Sequence, residues 1–197
     1  QGFIMRAAES GGSLTFKNTH RTTLTKPSGG IDGVYYKAEE ATTDKFRLTL
    51  TTPNQMNVVI ALAYNPDAEN SFERFDSMIF SEAVTENFYS LSSDERKLAI
   101  QSRKGDFNTE DKIPLGIKSS ETGLQKISVE SKYGTFESQP IYLKDKLLNT
   151  VVNLSETPYE FTSVEGVDQS RFEIVYKPGT VLATDNGIKE NLTVYRN

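Results

Sequence analysis

The most regular feature of the chain is the alternation of apolar and polar residues in short segments, the period of a β-strand with one covered face. In Phe46-Arg47-Leu48-Thr49-Leu50-Thr51, Phe46, Leu48 and Leu50 share one face and Arg47, Thr49 and Thr51 the other. Met56–Tyr64 (MNVVIALAY) is more continuously apolar and predicts a central strand covered on both faces. Pro53-Asn54 between the two predicts a hairpin turn. Further strands are predicted over Gly2–Ala7, Ser13–Phe16, Phe88–Leu91, Lys97–Gln101, Gln125–Ser131, Ile141–Leu143, Thr150–Asn153, Tyr159–Thr162, Arg171–Tyr176 and Leu192–Tyr195. Helical periodicity is nearly absent; Ser92-Ser93-Asp94-Glu95-Arg96 predicts one short capped turn at most. Many short strands with Gly, Pro, Asn, Asp or Ser between them predict an all-β fold, an antiparallel β-sandwich of the jelly-roll kind with little helix.

The segment Lys26–Asp44, rich in Gly, Ser, Thr and charge, reads as a loop or linker. Residues 1–25 are then the end of a preceding segment or the first strands of the sandwich, 45–177 the sandwich itself, and 178–197 a linker followed by one more strand-like stretch. Opening at Gln1 in strand-like sequence and stopping soon after another strand, the chain reads as a piece of a longer protein.

Composition removes several chemistries. With no Cys and one His in 197 residues, thiol catalysis, Cys-ligated zinc, iron–sulfur clusters and disulfides are excluded, and a Ser-His-Asp triad would have to use His20, which lies in a polar stretch. There is no Gly-x-Ser-x-Gly elbow and no phosphate-binding glycine loop. Lys plus Arg number 22 against 27 Asp plus Glu, a net charge of −5 without a basic cluster, so nucleic acid is not an expected partner. No apolar run is long enough to span a bilayer as a helix.

Several segments, in order, resemble one family. Gln1-Gly2-Phe3-Ile4-Met5 with Leu14-Thr15-Phe16-Lys17-Asn18-Thr19-His20-Arg21, the strand Phe46-Arg47-Leu48-Thr49-Leu50, Phe72-Glu73-Arg74-Phe75-Asp76, Lys97-Leu98-Ala99-Ile100-Gln101, Ile113-Pro114-Leu115-Gly116, Ile141-Tyr142-Leu143-Lys144-Asp145, and Tyr159-Glu160-Phe161-Thr162 with Arg171-Phe172-Glu173-Ile174 are similar to the β-sandwich module found ahead of the type IX secretion sorting domain in surface and secreted proteins of Bacteroidetes. Glu73 stands where that pattern more often has Asp, and Ser71 where Gly is common. Leu192-Thr193-Val194-Tyr195 resembles the first strand of a truncated sorting domain. The resemblance implies export across the outer membrane, an extracellular or cell-surface location, and contact with the type IX machinery through an adjoining sorting domain and with other domains of a parent adhesin, protease or polysaccharide-active protein. It implies an accessory module and no reaction.

Asp145 ends an alternating segment and is expected to accept backbone N–H bonds from Leu147 and Leu148, as an Asx turn does; the rival reading is a calcium ligand, with Asp76 as a second candidate. Arg171 is expected to form a structural polar pair, with Asp145 as partner, while Phe172, Ile174 and Tyr176 face the core. Ile113-Pro114-Leu115-Gly116-Ile117 reads as an edge strand or bulge, since Pro lacks a donor. Glu69, Glu73, Asp76 and Glu82 among Phe72, Phe75 and Phe80 are a solvated acidic surface rather than the opposed carboxylates of a glycosidase. Tyr35, Tyr36, Tyr64 and Tyr89 are candidate platforms for glycan stacking, against the expectation that most aromatics of such a fold are core. Asn191-Leu192-Thr193 fits a glycosylation acceptor but reads as a plain strand start. The chain is therefore expected to be a non-catalytic structural module, not an enzyme, with no cofactor; a carbohydrate- or calcium-dependent binding module is the alternative.

Overall fold

The computed structural model describes residues 13, 15, 44–81 and 85–178. The expectations placed on residues 1–43 (but for 13 and 15) and 179–197, among them the first two and the last strands, the linker, His20, Tyr35, Tyr36 and the Asn191 acceptor, lie outside the described residues. Those described form eleven strands: β1 (Lys45–Thr51), β2 (Asn57–Asn65), β3 (Ser77–Met78), β4 (Asn87–Leu91), β5 (Lys97–Lys104), β6 (Ile113–Ser119), β7 (Gly123–Tyr133), β8 (Tyr142–Asp145), β9 (Thr150–Asn153), β10 (Tyr159–Ser163) and β11 (Gly166–Val175). The only helical piece among them is a 3-10 turn, Gly134–Glu137.

The predicted alternation is visible in burial. In β1, Phe46, Leu48 and Leu50 are all fully buried, and the hairpin at Pro53-Asn54 returns the chain in register, Leu48 opposite Ile60. β2 departs from its prediction. It lies centrally between β1 and β5, but only one face is covered: Ile60, Leu62 and Tyr64 are buried, while Val59 is 40% exposed. The small side chains of Ala61 and Ala63 hid this alternation in a hydropathy reading. Ser92–Arg96 is a hairpin turn and not helical: Glu95 adopts φ 62°, and Ser92 Oγ accepts the backbone N–H of Arg96 at 2.9 Å.

The strands follow one hydrogen-bonded path, β10-β7-β1-β2-β5-β4-β6-β11-β8-β9, with β3 beside β5. All pairs are antiparallel except β2 with β5, so the sheet is mixed and not purely antiparallel. β5 is where the path turns. Leu98 pairs with both Met78 and Ser90, and Ile100 with both Ser77 and Ala61. A strand has two edges, so β3 holds one edge of β5 while β4 and β2 share the other, β4 at its start and β2 at its end. The two arms of the path then bury one common core, with Leu48, Ile60 and Ile127 from one and Leu115, Leu143 and Ile174 from the other. The outermost strands β9 and β10 are joined by the short link Leu154–Pro158, which leaves the sheet curled nearly into a barrel.

The segment expected to be an edge strand or bulge, Ile113–Ile117, is interior, and the irregularity in its ladder lies in the neighbouring β11. β6 has β4 on one side and β11 on the other. Pro114 is accommodated because the β4 ladder stops one residue earlier, at Ser90 opposite Leu115. Gly116 is required by its cross-strand partner: the Tyr89 ring lies against it, and a Cβ there would sit 2.2 Å from Tyr89 Cε2.

Candidate functional site

Three places concentrate polar chemistry. The first is built where β8, β10 and β11 meet. β11 carries an irregularity between Asp168 and Phe172, opposite Ile117 and Leu115 of β6, so that four residues span what two span on the partner strand. Asp168 Oδ1 closes this bulge by accepting the backbone N–H groups of Ser170 and Arg171 at 3.0 and 3.1 Å. Bulges re-aim side chains, and here Arg171 lies against Asp145, whose strand neighbour across the β8–β11 ladder is Phe172. Arg171 donates Nε and Nη2 to Asp145 Oδ2 at 3.0 and 2.7 Å. Tyr159 donates its hydroxyl to the same oxygen at 2.8 Å, and the backbone N–H groups of Leu147 and Leu148 fill Oδ1 at 2.9 and 3.1 Å. The guanidinium covers the faces of Phe161 and Phe172, 5.0 and 4.7 Å from their centroids. Burial alone would raise the Asp145 pKa, but the donors, Arg171 foremost, hold it below the usual carboxylate value, and the same pairing pushes Arg171 up.

The second place has no counterpart in the sequence reading. Arg103 donates to both oxygens of Asp111, Nε to Oδ2 at 2.8 Å and Nη2 to Oδ1 at 2.6 Å. Tyr64 donates to Asp111 Oδ2 at 2.8 Å and lies 3.0 Å from the hydroxyl of Tyr176. Both rings pack edge-on against Phe107, and Tyr64, Tyr176 and Phe107 all border Phe136. Burial pushes both tyrosine hydroxyls up. Against the opposing effect of burial, Arg103 holds Asp111 below its ordinary value. The available signal was a tyrosine closing each of two apolar alternations, the position where an aromatic body is buried and its hydroxyl reaches a polar rim.

The third is a cleft of about 440 Å³ beside the β10–β11 hairpin, lined among others by Ser119, Leu147, Thr162, Val164, Asp168 and Arg171. Leu147 and Val164 are 70% and 76% exposed at its rim.

Asp145 and Arg171 are thus in direct contact, and Asp145 also holds the turn that follows it. Asp76 does not join them: its Oδ1 accepts the backbone N–H of Ser102 at 2.8 Å and its Oδ2 that of Glu73 at 3.0 Å, tying the loop Pro66–Asp76 to β5. Asp76 and Asp145, the two candidate calcium ligands, each face N–H donors, and the cation at Asp145 is an arginine. Among the described residues no group of three or more His, Cys, Asp or Glu is placed to hold a metal ion. Tyr64 and Tyr89 are 5% and 1% exposed, so neither offers a face to a sugar. Tyr64 stands at an inward position of β2 and joins the core, whereas Tyr89 lies on the other face of β4, covered over Gly116 with Gln169 bonded to its hydroxyl. In the acidic segment Glu69 pairs with Lys104 at 2.8 Å, and the Arg74 guanidinium lies over the Phe75 ring.

The fold and these pairs describe a β-domain whose strongest charges are used internally. Residues 1–176 match a family described as "Domain of unknown function (DUF8693)", and the chain belongs to that family. No curated protein and no solved structure matches the chain.

Proposed function

We propose that the chain is a non-catalytic structural module of an exported protein, carried as type IX secretion cargo and displayed at the cell surface, its curled sheet acting as a jelly-roll-like sandwich that keeps its part of the parent compact outside the cell. The observation that carries the non-catalytic part is the saturation of Asp145. Five N–H or O–H donors fill its two oxygens, so neither it nor Arg171 is free to act on a substrate. Asp111 and Arg103 are engaged in the same way. The address rests on the ordered motifs of the sequence, and a role in adhesion on the exposed apolar rim of Leu147 and Val164.

The test is labelling of intact cells of the source organism with an antibody raised against the purified chain, with protease shaving as control. Labelling of intact cells that shaving removes supports the reading; labelling only after permeabilisation overturns it. The cleft favours a second reading, a carbohydrate- or calcium-dependent binding module of an adhesin or polysaccharide-active protein, which a glycan array would reveal through saturable binding lost on substitution of cleft residues.

A further inference from the structure

Four buried side-chain oxygens among the described residues have no hydrogen-bond partner, and two of them belong to side chains held at the end of β6. These two are Oε2 of Glu86 and Oε1 of Gln125, in residues 5% and 1% exposed. Glu86, one residue before β4, uses its other oxygen to accept the backbone N–H of Ser120 at 3.0 Å and the hydroxyl of the same serine. Gln125, near the start of β7, donates Nε2 to Ser119 Oγ at 2.8 Å. Both side chains are therefore tethered to two consecutive residues at the end of β6. Ser119 also lines the cleft beside the β10–β11 hairpin.

A buried carboxylate needs more than hydrogen bonds, because removing its charge from water is costly unless an opposite charge is near. Among the described residues no Lys or Arg forms an ion pair with Glu86. Water would give its free oxygen a donor but no charge. The cleft adds to the imbalance: Glu165 and Asp168 line it, and its Arg171 is already matched by Asp145.

We propose that Glu86 Oε2 and Gln125 Oε1, beside Ser119, hold a hard metal cation, calcium by preference, at the end of β6. A carboxylate, a carboxamide oxygen and a neighbouring hydroxyl are all hard oxygen donors, with neither imidazole nor thiolate to favour a transition metal. Magnesium demands near-ideal octahedral geometry, whereas calcium tolerates an irregular set completed by water and carbonyl groups. A single carboxylate places the affinity at the weak end of calcium sites, about 10⁻⁴–10⁻³ M. This site is distinct from Asp76 and Asp145, and its failure would leave the accessory-module reading untouched, because surface labelling does not depend on it.

The experiment is calcium titration of the full chain by calorimetry, with thermal melts in chelator, in magnesium and in calcium at about 10 mM, roughly ten to a hundred times the expected Kd. The expected result is measurable binding heat and a melting temperature several degrees higher in calcium, with a smaller rise in magnesium. Glu86→Gln is expected to abolish both signals while melting in chelator at or above the wild-type temperature, since the uncompensated charge is gone. Gln125→Met, which keeps volume and removes the oxygen, is expected to weaken binding at least tenfold, and it decides the matter if Glu86→Gln does not fold. Absence of binding heat and of any calcium shift in the wild-type chain overturns the proposal, as does a shift that survives in the variants.

Discussion

Replacing Arg171 by Met isolates the contribution of the Asp145 pair. The Asp145 side chain is 1% exposed and that of Arg171 11%, so the pair is sheltered from solvent screening. Arg171→Met keeps most of the aliphatic packing but removes two of the five donors to Asp145 and its only paired cation. Tyr159 and two backbone N–H groups remain, yet they leave a buried carboxylate without a counter-charge. Breaking a buried pair from one side costs about 3–5 kcal/mol, and loss of the guanidinium from the faces of Phe161 and Phe172 adds about 0.5–1 kcal/mol. For a chain of this size each kcal/mol lowers the melting temperature by about 2–4 °C, so a fall of about 10 °C is expected. The assay is paired thermal and urea unfolding. The internal comparison is Lys104→Met, which removes the exposed Lys104–Glu69 pair, with both side chains 57% exposed, and should cost less than about 1 kcal/mol. Adding Asp145→Asn to Arg171→Met should recover part of the loss, because the stranded charge is gone. If Arg171→Met costs no more than Lys104→Met, the view of this pair as a sheltered, mutually dependent unit is refuted.

Two further outcomes follow from the same geometry. Gly116→Ala puts a methyl group 2.2 Å from Tyr89 Cε2, and the ring is fixed by a hydrogen bond from Gln169 Nε2 at 2.9 Å to its hydroxyl; the expected loss is about 1–3 kcal/mol by denaturant unfolding, partly relieved when Tyr89→Val accompanies it, and additive losses from the two changes would contradict this. Asp145 and Asp111 have folded-state pKa values below the unfolded reference of 3.8, so their contribution to stability is fully present above that value and is lost as pH falls through the depressed ones, at up to about 1.4 kcal/mol per pH unit for each group; urea midpoints taken from neutral pH down to about pH 2 should show this decline and a shallower one in Asp145→Asn, and an unchanged slope in that variant would refute the assignment.

The alternation along β1, β8, β10 and β11 was legible because side-chain period and burial are the same fact for a strand with one covered face: Phe46, Leu48 and Leu50, or Phe172, Ile174 and Tyr176, could be placed inward from spacing alone. The turn after Asp145 was legible for a similar reason, since an Asx turn is closed by residues two and three positions away. The remaining features depend on partners distant in the chain. Pro114 and Gly116 carry the local marks of an edge, yet β6 lies between β4 and β11, and the Tyr89 ring occupies the volume of the side chain Gly116 lacks. Tyr64 and Tyr89 have the composition of a stacking platform, and only the neighbouring strands decide that their faces are covered. Arg103 meets Asp111 through a loop, and Tyr64 meets Tyr176 across 112 residues, so no periodicity registers them. By itself the sequence determined strand content, the inward faces of most strands, and a chemistry without thiols. The tertiary structure alone decided which edges pair, where the sheet turns at β5, and which carboxylates find a cation, because those depend on distances that chain spacing does not encode.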